Sequence, residues 1–134
     1  MEKFGKYYFG KCDEEFLYKY KNRGEIDLFE FGCGEPSEEN GYQTTFYICS
    51  DSEANDVVAF ITLSSHDEII YIDEFEVIKS RRRNGLGIEI ISGLQCEENT
   101  SSFKAIPISQ VAKKFWISCG FHEQEDEYLI WHGI

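Results

Sequence analysis

Apolar and polar residues alternate along the chain in short segments, and the longest apolar segment lies near its middle. Residues 68–78 are rich in β-branched and aromatic side chains, which favours a largely buried strand. Residues 43–50 and 57–64 have the same character and are predicted strands. Short polar connections at residues 51–56 and 65–67 join the three strands, which are therefore predicted to form an antiparallel meander.

Helical signals lie on either side of this meander. Asp13 is the predicted N-cap of a helix that ends at Asn22, before Gly24. Ser109 is the predicted N-cap of a second helix, which ends at Gly120. The remaining predicted segments are a short edge strand at residues 3–9, a strand or short helix at 26–31, loops at 32–41 and 96–102, and strands at 103–108 and 128–131.

A group of basic residues and glycines follows the central strand. It consists of Arg81, Arg82, Arg83, Asn84, Gly85, Leu86 and Gly87, and an apolar helical pattern occupies residues 86–94. Glycines at a strand-to-helix junction let backbone amides approach a ligand, and the positive end of the helix favours an anion. This stretch is therefore a predicted phosphate-binding loop. A helical crossover also makes the strands at residues 68–78 and 103–108 predicted parallel neighbours.

Composition narrows the function. The chain has 134 residues, enough for one domain over residues 1–134, and a formal net charge of −12. Free nucleic acid and anionic membranes are unlikely partners because both need a positive surface, whereas a cationic substrate would suit this charge. Five scattered cysteines predict reduced thiols rather than disulfides or a zinc site. Without a signal-peptide core or a long apolar run, the expected location is the cytoplasm, and a homodimer stays an open alternative to a monomer.

Two motifs carry a resemblance to a known family. The first runs from Arg82 to Gly87 with glycines at its fourth and sixth positions, and the second runs from Ser109 through Ala112 to Gly120 and Phe121. Together, and in this order, they resemble the GNAT superfamily of acyl-CoA-dependent N-acyltransferases. The resemblance implies an α+β fold with a mixed, mostly antiparallel sheet, a central splayed pair of parallel strands and helices on both faces. It also implies transfer of acetyl from acetyl-CoA to a primary amine, either a small cationic amine or a protein or peptide amino group.

The resemblance assigns cofactor-binding residues. Backbone amides from Arg83 to Gly87 would hold the acetyl-CoA pyrophosphate, and the pantetheine arm would lie along Glu76 and Val77, where the parallel strands separate. No metal is implied. The full predicted cofactor set is Glu76, Val77, Arg82, Arg83, Asn84, Gly85, Leu86, Gly87, Ile88, Ser109 and Trp116.

A carboxylate is expected to receive the proton of the attacking amine. Asp73 lies nine residues before Arg82, a spacing at which similar enzymes often carry an acid or a histidine, so it is predicted to be the base or the amine anchor. Strand alternation places Asp73 on one face with Tyr71, Phe75 and Val77, and places Glu74 and Glu76 on the other. Glu74 is the second candidate, because one bulge in this strand would exchange the faces.

One departure from the family pattern keeps alternatives open. Trp116 stands where many members carry a tyrosine that is thought to protonate the departing thiolate, and an indole cannot serve as that acid. A catalytically silent acyl-CoA-binding module is therefore an alternative. A toxin-like acetyltransferase of aminoacyl-tRNA is another, suggested by residues 31–34, although the acidic charge argues against tRNA binding.

Overall fold

A computed structural model describes residues 1–31, 43–97 and 102–132 of the chain. In these residues it contains eight strands and three α-helices. The strands are β1 (Glu2–Phe4), β2 (Tyr7–Lys11), β3 (Thr44–Cys49), β4 (Val57–His66), β5 (Ile69–Val77), β6 (Ser102–Ala105), β7 (His122–Glu123) and β8 (Leu129–Trp131). The helices are α1 (Glu14–Asn22), α2 (Leu86–Glu97) and α3 (Gln110–Ser118), with a 3-10 turn at Lys79–Arg81.

All eight strands belong to one sheet, in the order β1-β2-β3-β4-β5-β6-β8-β7. Every neighbouring pair is antiparallel except β5 and β6, which are parallel and joined by the crossover helix α2. The predicted meander of β3, β4 and β5 is confirmed, and so is the predicted parallel pair. The predicted fold class, a mixed and mostly antiparallel sheet with helices on both faces, is therefore confirmed.

Each face of the sheet has its own hydrophobic core. Helices α2 and α3 cover the first face, where Ile72, Ile90 and Trp116 are buried together. Helix α1 covers the second face, where Leu17 and Phe60 are buried. We call these the α2 face and the α1 face.

The predicted helix caps are confirmed. The Asp13 carboxylate accepts a hydrogen bond from the Phe16 N–H at 2.8 Å, which begins α1. The Ser109 hydroxyl accepts one from the Ala112 N–H at 3.1 Å, which begins α3. A side-chain oxygen at the N-cap supplies an acceptor that the first turn of a helix lacks.

Five element predictions need correction or lie wholly or partly outside the described residues. Residues 3–9 do not form one strand, because a turn at Gly5 and Lys6 reverses the chain between β1 and β2. Residues 26–31 form neither a strand nor a helix, since side chains from β5 bind their backbone. Strand β6 ends at Ala105 instead of reaching residue 108, and β7 was not predicted. The predicted loop at 32–41, with Cys33, lies outside the described residues. The loop predicted at 96–102 is too long, because α2 continues to Glu97 and β6 begins at Ser102, and residues 98–101 lie outside the described residues.

Strand β5 contains a bulge at Asp73. Its neighbour β4 pairs Thr62 with Glu74 and Leu63 with Ile72, so Asp73 is the extra residue. The predicted alternation through this strand is therefore wrong. Ile72 packs into the α2-face core, together with Phe75 and Val77, whereas the Asp73, Glu74 and Glu76 side chains reach partners on the α1 side of the sheet.

Candidate functional site

The site begins at the loop that leads from β5 into α2. Arg83 has a φ of 68° and Gly85 a φ of 74°, so the backbone turns through the left-handed region twice before α2 starts. The Gly85 carbonyl accepts the Glu89 N–H at 3.2 Å. The N–H groups ahead of Glu89 in this first turn have no acceptor within the helix. They point out of the helix at its positive end, an arrangement that binds anions.

A groove of about 230 Å³ lies over this loop. Three arginines line it, Arg81, Arg82 and Arg83, in a chain whose formal net charge is −12. Two of them are held by acids, Arg81 by Asp56 and Arg82 by Glu76. The other lining residues are Val77, Gly85, Leu86, Gly87, Ile88 and Phe115. This concentration of positive charge and helix N–H groups suits a di- or polyphosphate.

Predicted cofactor residues are gathered here, with the exceptions of Glu76, Ser109 and Trp116. Val77, Arg82, Arg83, Gly85, Leu86, Gly87 and Ile88 line the groove, and Asn84 lies in the same loop. Ser109 is exposed and serves as the cap of α3. Trp116 is only 6% exposed and lies in the core, so the described groove has Phe115 on its wall instead.

An open strand edge leads away from the groove. The parallel pairing of β5 with β6 ends at Ile72 and Ala105, whereas β5 stays paired with β4 as far as Val77. Among the described residues, no strand is paired with β5 on its β6 side between Asp73 and Val77. The two parallel strands therefore separate beyond Ile72 and Ala105, and the edge of β5 near Val77 faces the gap between them.

Gly87 brings α3 against the start of α2. A Cβ atom at Gly87 would lie 2.9 Å from Cε1 of Phe115 and 3.2 Å from its Cζ, so only glycine allows this approach. Phe115 stacks on Phe75 at 5.9 Å between ring centroids, and Trp116 lies 6.2 Å from the same ring. Phe115 was missed in the sequence because its helical spacing also fits an ordinary core position.

Asp73 lies at the bulge, next to the open edge. Its carboxylate accepts a hydrogen bond from Gln43 Nε2 at 3.0 Å and is also hydrogen-bonded by the Ser64 side chain. The residue is exposed on one side, but the protein packed around the carboxyl group raises its pKa, and the two hydrogen bonds partly oppose this rise. Asp73 thus has a greater proton affinity than an ordinary aspartate.

The other two acids of this strand bind the segment that follows α1. Glu76 accepts hydrogen bonds from the N–H groups of Asp27, Leu28 and Phe29 at 3.0, 3.0 and 2.7 Å. Glu74 accepts one from the Glu30 N–H at 2.8 Å. Both side chains thus hold residues 27–30, and the Glu76 carboxylate also pairs with Arg82 on the wall of the groove.

Among the described parts of the chain, no group of three or more His, Cys, Asp and Glu residues is arranged to hold a metal ion. Three described cysteines are buried, and burial raises the pKa of Cys12 and Cys49 to about 12 and that of Cys119 to about 11. Cys96 is exposed. Within the described residues, no helix is both long and apolar enough to cross a membrane.

Three solved structures to which this chain is similar are named as acetyltransferases. The chain is similar to the ribosomal-protein-S18-alanine N-acetyltransferase of Escherichia coli, with 15% sequence identity, a TM-score of 0.59 and coverage of 92% of this chain and 90% of that one. It is similar to a protein assigned to the GNAT family of acetyltransferases from Bacteroides thetaiotaomicron, with 19% identity, a TM-score of 0.59 and coverage of 95% and 87%. A third is an N-acetyltransferase of E. coli bound to coenzyme A, with 13% identity, a TM-score of 0.61 and coverage of 92% and 94%.

These comparisons establish the fold. No protein-family model matches the sequence, and no curated protein matches it significantly. The chain therefore has the fold of the GNAT acetyltransferases, and the resemblance seen in the two sequence motifs is confirmed at that level.

Proposed function

We propose that this protein is an acetyl-CoA-dependent N-acetyltransferase that acts on a cationic primary amine. The proposal rests on the observation that the groove and the edge of β5 are continuous with each other. A groove with arginines and helix N–H groups lies at the start of α2, and the open edge of β5 runs from Val77 in that groove to Asp73. A phosphate-rich carrier with a long extended arm fits such a path.

Different residues would hold different parts of acetyl-CoA. The backbone N–H groups from Arg83 to Gly87, together with the arginines, would hold the pyrophosphate. The exposed backbone of β5 near Val77 would hydrogen-bond the amides of the pantetheine arm, as a paired strand would. An N–H near Val77 is our candidate donor to the thioester oxygen, where negative charge develops during the reaction.

The chemistry at Asp73 follows from its proton affinity. Acetyl-CoA supplies an activated acetyl thioester. A primary amine is mostly protonated at neutral pH, so its proton must leave before the nitrogen can attack, and the Asp73 carboxylate is our proposed acceptor. The nitrogen then bonds to the acetyl carbon while the carbon–sulfur bond breaks and the sulfur leaves as a thiolate. The second proton that the nitrogen loses on becoming an amide passes through water to this thiolate. Because Trp116 is buried, we propose no role for it in protonating the thiolate.

The test separates binding from turnover. Calorimetry with CoA should show binding by the wild-type protein, and a thiol-release assay with acetyl-CoA and 1,5-diaminopentane should show turnover. Binding without release for any amine would favour the alternative of a silent acyl-CoA-binding module. No CoA binding would overturn the proposal.

A matched pair of glycine variants tests the loop itself. Gly85 and Gly24 have φ angles of 74° and 76°, and a Cβ at either would meet no atom within 4 Å. Aspartate at either position therefore imposes a similar backbone strain. Only Gly85→Asp adds a negative charge to the groove, so we expect it to abolish CoA binding while Gly24→Asp retains it. Equal affinities of the two variants would refute the loop assignment.

A further inference from the structure

A corner of aromatic and acidic side chains lies where the two parallel strands begin to separate. Tyr71 precedes Asp73 by two residues on β5, and its ring lies 5.6 Å from the ring of Tyr128, with an interplanar angle of 74°. Tyr128 directly precedes β8, whose first residue, Leu129, is paired with Ala105 at the end of β6. The two rings therefore meet across β6, one residue before the parallel pairing ends at Ile72 and Ala105.

The Tyr128 ring already has a cation next to it. Lys104 is paired with Tyr71 across the parallel strands, and its Nζ lies 5.6 Å from the centroid of Tyr128. The face of an aromatic ring attracts an ammonium group through its quadrupole. Chiefly burial, and then neighbouring charges that include those of Asp73 and Asp126, raise the pKa of Tyr128, so its phenol stays neutral.

Given the proposed function, we infer that Tyr71, Tyr128 and Asp73 form the subsite that receives the protonated amino group of the acceptor, and that Lys104 is an internal cation which this group displaces. The rings bind the ammonium by its charge, and the carboxylate then accepts its proton. The acceptor class is an alkylamine, which is protonated at neutral pH. An amine that is neutral at that pH gains nothing from such a subsite.

Two acceptors separate this inference from the proposed function. 1,5-Diaminopentane carries the ammonium groups that the subsite would recognise. Hydroxylamine at pH 7.5 is a neutral nucleophile that reports acetyl transfer without ammonium recognition. The quantity to compare is the ratio of kcat/KM for the diamine to kcat/KM for hydroxylamine. If the wild-type protein transfers acetyl to neither acceptor, the proposed function itself fails and the subsite fails with it.

Three variants are expected to change this kcat/KM ratio in different ways. Tyr128→Leu removes the ring and should lower the ratio about 3- to 30-fold, the range that cation–π contacts span. Tyr128→Phe keeps the ring and should change the ratio less than about twofold. Lys104→Met removes the competing cation and should raise the ratio.

Tyr18→Leu is the matched control. Tyr18 is an exposed tyrosine on α1, outside strands β5, β6 and β8, and Lys21 Nζ lies 5.8 Å from its ring centroid. Its replacement should leave the ratio unchanged. The inference is overturned if Tyr128→Leu keeps the wild-type ratio, or if Tyr18→Leu lowers it equally. Should Tyr128→Leu fail to fold, a ratio that does not rise in Lys104→Met would overturn it as well.

Discussion

Replacing Glu76 with alanine tests whether one carboxylate holds the segment after α1 against the sheet. The side chain is 11% exposed and accepts three backbone N–H groups, those of Asp27, Leu28 and Phe29. It also forms an ion pair with Arg82. The substitution removes all four interactions together and leaves their donors in place.

The expected loss of stability follows from the exposure of each donor. The Asp27 and Leu28 contacts are exposed, so water replaces the lost acceptor there at little cost. The Phe29 contact is partly buried, and the Phe29 side chain is fully buried in the α1-face core. An unsatisfied buried N–H costs about 1–3 kcal/mol, and hydrogen bonds to a charged group contribute about 1.5–3 kcal/mol. We therefore expect Glu76→Ala to lower the free energy of unfolding by about 2–4 kcal/mol.

Urea unfolding followed by circular dichroism measures this loss. Glu76→Gln is the matched control, because it keeps the size of the side chain and one acceptor oxygen, and it should lose less than the alanine variant. Because Glu76 also pairs with Arg82 of the groove, the CoA affinity of the folded alanine variant is measured separately by calorimetry. A loss below about 0.5 kcal/mol, the range of ordinary surface substitutions, would refute the reasoning.

Three further predictions concern Gly87, Asp73 and Cys96. Gly87→Ala places a Cβ 2.9 Å from the Phe115 ring, so we expect a lower melting temperature and weaker CoA binding, both measurable by calorimetry. The pKa of Asp73 is raised in the folded protein, so ionisation of this carboxyl group at pH 7 destabilises the folded state. We therefore expect Asp73→Asn to have a higher melting temperature than the wild type at pH 7. That difference should disappear below about pH 4, where both side chains are neutral, and transfer to amines should fall. Among the described cysteines only Cys96 should react rapidly with a thiol reagent, and Cys96→Ser should remove that reaction while the three buried thiols stay slow.

Local signals in the sequence were sufficient for several parts of this structure. The caps at Asp13 and Ser109 depend on residues three positions apart, and the loop from Arg82 to Gly87 depends on glycines at a strand-to-helix junction. The parallel pair follows from the helical crossover alone. Each of these features is specified within a few residues or by a general rule of chain connection.

The bulge at Asp73 could not be predicted in the same way. Counting alternate residues along β5 assumes that every residue has a partner on β4, and the extra residue appears only in the register of the two strands. The contacts of residues 27–30 were missed for a related reason. Their acceptors lie 44 to 49 positions further along the chain, and side-chain acceptors leave no periodic pattern in the segment that they bind.

The bulge also explains how neighbouring acids come to have different roles. Because Asp73 is the extra residue, it and Glu74 both reach the α1 side of the sheet. Glu76 accepts backbone N–H groups and pairs with Arg82, so its oxygens are occupied in holding residues 27–29 and the arginine. Asp73 has the neutral groups of Gln43 and Ser64 among its partners and lies in surroundings that raise its pKa. A base must hold the proton that it takes, so the raised pKa of Asp73 supports its proposed role as acceptor of the amine's proton.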